Sequence, residues 1–267
     1  MKAIRAVALM YHDVVDDSNA YDESGFPGSD AARYKLSRKQ FENHLEAIGN
    51  NSATRPELIS EVLVSAVSLK PTLLTFDDGG VSAYSCIADM LELRGWYGHF
   101  FVTASRIDKA GFLSRKQIRE LHSRGHIIGS HSFSHPERMS HCSPEEIGRE
   151  WKESIALLSD ITGSETTTAS VPGGSHSRRV AEKAAEAGIR VLFTSEPITR
   201  TNLVDGCLVL GRYTIQRSMP PRVAAALAAG KLAPHVRQLL LWNLKKAAKI
   251  AGGKKYLRLR RSLLQKS

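Results

Sequence analysis

Residues 72–79 read Thr72-Leu73-Leu74-Thr75-Phe76-Asp77-Asp78-Gly79, a short apolar run that ends directly in a polar turn. The same arrangement recurs along the chain, and apolar residues at helical spacing fill the segments between the runs. This alternation predicts strands and helices arranged as parallel βα units. The other predicted strands are Ala6–Met10, His99–Val102, Ile127–Gly129, Ala169–Val171, Val191–Phe193 and Leu208–Leu210. The predicted helices are Arg38–Ile48, Val81–Arg94, Arg115–Ser123, Pro144–Leu158 and Ser177–Ala187.

Side chains able to do chemistry follow at least five of these predicted strands. In a βα barrel the site is built from loops at the C-terminal ends of many strands. A Rossmann-like sheet instead gathers its ligand at one switch point. The pattern therefore favours a barrel. Residues 16–32, rich in Asp, Ser, Gly and Pro, predict a long surface loop over the mouth of the site.

The positive charge of the chain is concentrated in its last 46 residues. The sequence has 37 Lys and Arg against 27 Asp and Glu, and residues 222–267 hold twelve of the basic residues and no acidic one. We therefore divide the chain into a catalytic barrel, residues 1–221, and a basic helical extension, residues 222–267. Three scattered cysteines, no signal peptide and no apolar run of about 20 residues indicate a cytoplasmic protein.

Two pairs of reactive side chains follow two different predicted strands. Asp77 and Asp78 form one pair, and His131 and His135 form the other. If the histidine segment forms one helical turn, the two imidazoles share a face. Taken singly, each pair also fits a plainer structure, a capped Asp-Gly turn or a polar loop. Together they predict a catalytic metal site of one carboxylate and two imidazoles, with the second carboxylate free to act as a base.

Thr75–Gly79 and His131–Pro136 resemble the first two motifs of the polysaccharide deacetylases, carbohydrate esterase family 4. The resemblance covers roughly residues 3–215. It implies a distorted (β/α)7 barrel and metal-dependent hydrolysis that removes the N-acetyl group of an amino sugar. It makes Asp77 the general base and makes three residues the ligands of a divalent ion, expected to be Zn²⁺, with Co²⁺, Ni²⁺ or Mn²⁺ as alternatives. Those ligands are Asp78, His131 and His135.

The third motif of that family matches only in part. Its counterpart here is Val171-Pro172-Gly173-Gly174, and the resemblance implies that Gly173, with Gly174 beside it, presents a backbone N–H to the oxyanion. The family's arginine that orients the base is replaced by Ser170. Arg212, after the last predicted strand, is a candidate substitute facing the base and substrate, unless it simply lies on the surface.

The proton donor usual in the family is also missing, because the fifth-motif segment Leu210–Tyr213 contains no histidine. His12, in Met10-Tyr11-His12-Asp13, is our candidate for the general acid. A similar stretch occurs in the poly-N-acetylglucosamine deacetylase branch, which also lacks the fifth-motif histidine. An imidazole suits this role because it titrates near neutral pH. We expect Asp13 or Glu196 to orient it.

Residues 235–250 predict an amphipathic helix in the basic extension. On a helical wheel, Gln238 and three lysines lie on one side and apolar residues on the other. Residues 256–264 predict a second such helix. Two arrangements are open: peripheral contact of residues 235–267 with the inner face of a membrane, or packing on the barrel with the basic side in solvent. Nothing else in the sequence favours nucleic acid as a partner.

These observations predict hydrolytic deacetylation of an N-acetylated sugar in a lipid-linked, nucleotide-linked or exopolysaccharide precursor, with release of acetate. One alternative is a deformylase or another amide hydrolase that uses the same metal and base. The other is an inactive glycan-binding relative, which the missing arginine and histidine would explain.

Overall fold

A curled nine-stranded sheet lies at the centre of the computed structural model, which describes residues 4–16, 21–51, 55–65 and 70–244. The strands are β1 Val7–Tyr11, β2 Val14–Val15, β3 Leu36–Ser37, β4 Thr72–Phe76, β5 His99–Val102, β6 Ile127–Ser130, β7 Thr168–Ser170, β8 Val191–Phe193, β9 Asn202–Val204, β10 Cys207–Leu210 and β11 Tyr213–Thr214. β2 and β3 pair separately, and the sheet order is β11-β1-β4-β5-β6-β7-β8-β10-β9. The pairs in the sheet are parallel, except that β9 runs antiparallel to β10.

Helices cover the outside of this sheet, as the βα pattern predicts. They are α1 Ser29–Ala32, α2 Arg38–Asn51, α3 Ile59–Ser65, α4 Ala88–Glu92, α5 Arg115–Ser123, α6 Pro144–Thr162, α7 Arg178–Glu186 and α8 Pro221–Ala228, and residues 232–244 are also helical. A π-helical stretch, Ala83–Ile87, leads into α4. Capping boxes at Ser114 and Ser143 satisfy the first backbone donors of α5 and α6. All seven predicted strands are present, and the predicted α/β barrel is confirmed in an open, half-barrel form.

Alternation along the strands separates an inner core from an outer one. Inside the curled sheet, alternate residues such as Leu73, Phe101 and Phe193 form one buried cluster. Outside it, β1, β4 and β5 pack against α2, α4, α5 and α8. Ala224 and Leu227 of α8 belong to this outer cluster, so the core continues beyond residue 221. The proposed division at 221/222 stays a prediction.

Parallel pairing brings the C-terminal ends of the strands to one rim. β1 pairs with β4, β4 with β5, β5 with β6, and β6 with β7. The polar turns that follow these strands therefore meet at the same rim. At the opposite end, Ala6 N donates to Thr199 O (3.3 Å), which ties the chain before β9 to β1.

Of the helices in the described ranges, none combines the length and the apolar character that a membrane span requires. The second predicted helix of the extension, residues 256–264, lies outside the described residues, as do Lys245, Lys246 and Lys249 of the first.

Candidate active site

The turn after β4 directs both of its carboxylates into the rim. Asp77 still follows the sheet, because its backbone N–H donates to Tyr11 O of β1 (3.1 Å). Asp78 then takes a left-handed backbone conformation, φ 76°. Asp78 O accepts from Thr103 N (3.3 Å), which fixes the turn against β5. Since the chain leaves the extended conformation at Asp78, the two side chains no longer point to opposite faces.

Asp78, His131 and His135 form a compact cluster of possible metal donors. Oδ1 of Asp78 lies 3.4 Å from His131 Nε2 and 3.7 Å from His135 Nε2. One ligand atom from each residue lies within 4.8 Å of the other two. Two imidazole nitrogens and one carboxylate oxygen fit a divalent cation such as Zn²⁺ and leave coordination positions open.

The segment that carries the two histidines is a tight loop and does not form the helical turn considered from the sequence. Ser132 and His135 both have left-handed backbone, with φ of 62° and 61°. Ser130 Oγ accepts from Ser132 N, and Ser132 Oγ accepts from His135 N, both at 3.0 Å. Left-handed backbone is strained for residues with a side chain. These serine hydrogen bonds hold the loop in the shape that turns both imidazoles toward Asp78.

Ser170, at the end of β7, connects the metal-donor cluster to the second carboxylate. Its hydroxyl donates to Asp77 Oδ1 (3.0 Å) and lies 2.6 Å from His131 Nδ1. The Ser170 carbonyl oxygen lies 3.1 Å from the same Nδ1. A partner on Nδ1 leaves Nε2 as the ligand atom and fixes the plane of the ring, as is usual for metal-binding histidines.

Arg212 is fully buried and holds Asp77 in a bidentate ion pair. Its Nη1 donates to Asp77 Oδ1 (2.7 Å) and its Nη2 to Oδ2 (2.8 Å). Nη1 also donates to Thr75 Oγ1 (3.2 Å), and Nε donates to Thr194 O (3.1 Å). The alternative of a surface arginine is therefore wrong. Arg212 reaches the base from the turn between β10 and β11, and it faces the base rather than the open mouth.

Burial and neighbouring charges set the protonation of the site. Burial would raise the pKa of Asp77, but the Arg212 guanidinium and His131 outweigh it and hold that pKa well below its usual range. Burial would lower the pKa of His131, but Asp77 and Asp78 outweigh it and raise that pKa. Burial, with His131 beside it, lowers the pKa of His135 to about 4. His135 is thus neutral at pH 7, the form that binds a metal ion.

Gly173 and Gly174 follow β7 in a turn that a larger residue would disrupt. Their φ values are 59° and 64°. A Cβ on Gly173 would lie 3.1 Å from Glu137 O, and one on Gly174 would lie 2.2 Å from Ser195 Oγ. The turn therefore needs glycine at both positions, and it follows directly after β7, the strand that ends at Ser170.

His12 follows β1, and the register that pairs Tyr11 with Phe76 places it beside Asp77, which follows β4. Its ring stacks obliquely on Tyr34, with 4.9 Å between centroids. The expected hydrogen bond from Asp13 or Glu196 is not formed, because the buried Nδ1 of His12 has no partner among the described residues.

The two expected partners of His12 have other contacts. Asp13 Oδ1 accepts from the hydroxyls of Ser24 (2.6 Å) and Ser82 (2.8 Å). Glu196 contributes its carbonyl oxygen, which accepts from Arg212 N (2.9 Å). Both acids therefore shape the site indirectly, Asp13 through the loops around it and Glu196 through the turn that carries Arg212.

Residues 21–28, the described part of the predicted mouth loop before α1, reach the metal-donor cluster. Phe26 packs on His135 with 4.8 Å between ring centroids, and Arg106 lies 5.1 Å from the Phe26 ring. Buried Lys35 holds this loop: its Nζ donates to Ser24 O and Phe26 O, both at 2.6 Å, and to Tyr21 O. The sequence contains no indication of this role of Lys35. Its partners are backbone carbonyl groups, which every residue has, so they produce no recognisable sequence motif.

We expect Lys35→Met to loosen the loop of residues 21–28. Without the ammonium group, three loop carbonyls lose their donor, and of these three hydrogen bonds the one to Ser24 O is buried and the other two are partly buried. A buried group left unsatisfied costs about 1–3 kcal/mol. Urea unfolding should show a lower free energy of unfolding, and hydrogen exchange in residues 21–28 should be faster. Lys39→Met is the matched control, because the Lys39 side chain is 75% exposed. Unchanged exchange in the loop would show that other contacts hold it.

Comparison with known proteins agrees with this geometry. The family model described as polysaccharide deacetylase matches residues 65–192. Over 200 residues the chain is 25% identical to YxkH of Bacillus subtilis, covering 73% of this chain and 66% of that protein. Over 115 residues it is 31% identical to the peptidoglycan-N-acetylglucosamine deacetylase PgdA of Listeria monocytogenes, covering 43% of this chain and 24% of that protein. The chain thus spans two thirds or less of these curated relatives.

The fold also matches solved structures. IcaB from Ammonifex degensii superposes with a TM-score of 0.64 at 22% identity, over 85% of this chain and 98% of that one. At this identity the likeness concerns the fold, and it matches the open barrel described above.

Proposed function

Since the chain carries a polysaccharide deacetylase domain, we propose that it hydrolyses the N-acetyl group of an amino sugar in a metal-dependent reaction that releases acetate. One observation carries the proposal: a carboxylate held by a buried arginine, Asp77, lies beside three metal donors, Asp78, His131 and His135. This arrangement provides a base and a cation site at the same rim. The substrate classes that we propose are lipid-linked, nucleotide-linked and exopolysaccharide precursors.

We assign one role in the reaction to each of the following groups. Asp78, His131 and His135 would hold a divalent cation, which would supply Lewis-acid chemistry that acidifies water and polarises an amide carbonyl. Asp77, kept ionised and oriented by Arg212, accepts the proton of the attacking water. The N–H groups at Gly173 and Gly174 donate to the oxyanion. His12 donates a proton to the leaving amine.

An acetate-release screen tests the proposal. Wild-type protein loaded with Zn²⁺ is incubated with N-acetylated sugars from the three precursor classes, and acetate and formate are measured separately. We expect acetate from at least one class, loss of activity after chelation, and recovery when Zn²⁺ is restored. Formate as the product would favour the deformylase alternative. Tight metal binding with no product from any class would favour the inactive glycan-binding protein.

We expect His12→Ala to lower kcat by roughly 10²-fold or more, the usual contribution of a proton donor, without changing metal content. The unpartnered Nδ1 of His12 and its place beside Asp77 in the strand register motivate this variant. Acetate release and metal analysis are measured on the same preparation. His141→Ala is the control, because His141 is exposed on the short helical turn Met139–His141. A near-normal kcat for His12→Ala would exclude it as the acid.

A further inference from the structure

The helical residues 232–244 expose most of their large apolar side chains. At 100° per residue, five large apolar side chains occupy one half of this helix. They are between 42 and 76% exposed, and we call them the apolar stripe: Leu232, Val236, Leu240, Leu241 and Leu244. A contiguous exposed apolar surface of this kind marks an interaction site.

The other half of the helix, which also carries the half-buried Leu239 and Trp242, contacts the barrel through two polar side chains. The His235 ring stacks on Tyr213 with 4.0 Å between centroids, and its Nε2 lies 3.0 Å from Leu227 O. Gln238 Nε2 donates to Thr214 O (3.0 Å). A surface helix usually faces the core with its apolar side. This helix contacts the barrel and still leaves the apolar stripe in solvent. The three lysines of its predicted basic side lie outside the described residues, so the choice between the two arrangements stays a prediction.

The charge around the apolar stripe indicates which kind of partner binds there. Asp205 is the last acidic residue in the sequence, and residues 222–267 contain twelve Lys and Arg. Lys231 and Arg237, exposed at the start and middle of the helix, belong to this set. Exposed leucines between basic residues match an anionic bilayer, which offers an apolar interior below negative headgroups. Nucleic acid would use the basic residues but not the leucines.

The direction of the helix relates the stripe to the active site. His235 contacts Tyr213 and, one turn later, Gln238 contacts Thr214, so the helix runs in the same sense as β11. β11 is parallel to β1, whose C-terminal end leads to His12 at the rim. The last turn of the helix therefore lies toward the mouth of the barrel.

We propose that the apolar stripe docks on an anionic phospholipid bilayer and brings the mouth of the barrel to the membrane surface. The inference rests on the proposed function in one respect: a docked deacetylase would take its amino sugar from a lipid-linked precursor. The docking itself requires only the stripe and the basic residues.

The experiment uses the full chain and flotation with phosphatidylcholine vesicles that contain roughly one third phosphatidylglycerol. The stripe variant is Leu240→Asp with Leu244→Asp, and the control is Leu93→Asp, since Leu93 is 84% exposed elsewhere on the protein. We expect the stripe variant to lower the fraction bound by roughly tenfold or more, and the control to bind as wild type does. Pure phosphatidylcholine vesicles and about 0.5 M NaCl should each weaken binding of the wild type.

Full vesicle binding by the stripe variant would overturn the docking, and so would equal binding of the wild type to neutral and anionic vesicles. A third contrary result is that neither protein binds vesicles while sedimentation velocity shows a dimer for the wild type and a monomer for the stripe variant. Acetate release from a water-soluble N-acetylated amino sugar is measured alongside, and the stripe variant should match wild type. If neither protein releases acetate but vesicle binding follows the pattern above, the proposed function fails and the docking stands.

Discussion

Asp77→Asn should reduce acetate release by about 10²–10⁴-fold while the protein keeps its metal ion. The amide has the size of the carboxylate but does not accept a proton from water. The three metal donors, Asp78, His131 and His135, are untouched by this change. The measurement is kcat/KM on the substrate identified by the screen, with metal content determined on the same sample.

Two variants separate the role of Asp77 from general damage. Asp78→Asn should lose both metal and activity, because it removes a donor from the cluster. Asp160→Asn should keep both, because the Asp160 side chain is 68% exposed in a surface ion pair with Arg115. A metal content that falls in step with the activity of Asp77→Asn would contradict its assignment as the base, and so would activity within a few-fold of wild type.

The local pattern of apolar runs followed by polar turns was enough to predict the strands and the rim at which their C-terminal ends meet. Thr72–Phe76, His99–Val102 and Val191–Phe193 have the predicted bounds, because each is an apolar run ended by a polar turn. Since parallel strands end at one rim, the order of strands and helices along the chain also implies that Asp78 lies close to the two histidines. Short elements such as β2 and β3, of two residues each, have no periodicity to detect.

Contacts between distant parts of the chain could not be predicted from the sequence. Arg212 and Asp77 are 135 residues apart. Their ion pair depends on the turn that connects β10, which pairs with β8, to β11, which pairs with β1. The sequence showed that Ser170 stands where an arginine was expected, and it offered Arg212 as a candidate substitute without showing that its side chain reaches Asp77. The structure gives that serine its own contacts, to Asp77 and His131, and supplies the guanidinium from another turn.

The orientation of the helical residues 232–244 on the barrel could not be predicted from the sequence either. Periodicity showed that residues 235–250 have an apolar side and a polar side. It did not show which side meets the barrel, since that depends on two specific contacts, of His235 with Tyr213 and of Gln238 with Thr214.

Arg212→Met should lower the free energy of unfolding of the metal-free protein by about 3–5 kcal/mol. The substitution keeps a long apolar stem but leaves the Asp77 carboxylate buried without its bidentate partner. Urea unfolding in the presence of a chelator measures the change, because a bound cation nearby would offset part of it. Arg222→Met is the control: Arg222 is exposed, and its replacement should change stability by less than about 0.5 kcal/mol.

Combining Arg212→Met with Asp77→Asn decides whether the loss comes from the unpaired charge or from packing. If the buried charge causes it, the double variant is more stable than Arg212→Met alone, because removing both charges removes the desolvation cost of the one left behind. Arg212→Lys should fall between wild type and Arg212→Met, since lysine restores the charge but not the two parallel hydrogen bonds. Additive losses in the double variant would instead mean that Arg212 stabilises the barrel chiefly through Thr75, Thr194 and Phe101, which contact the same side chain.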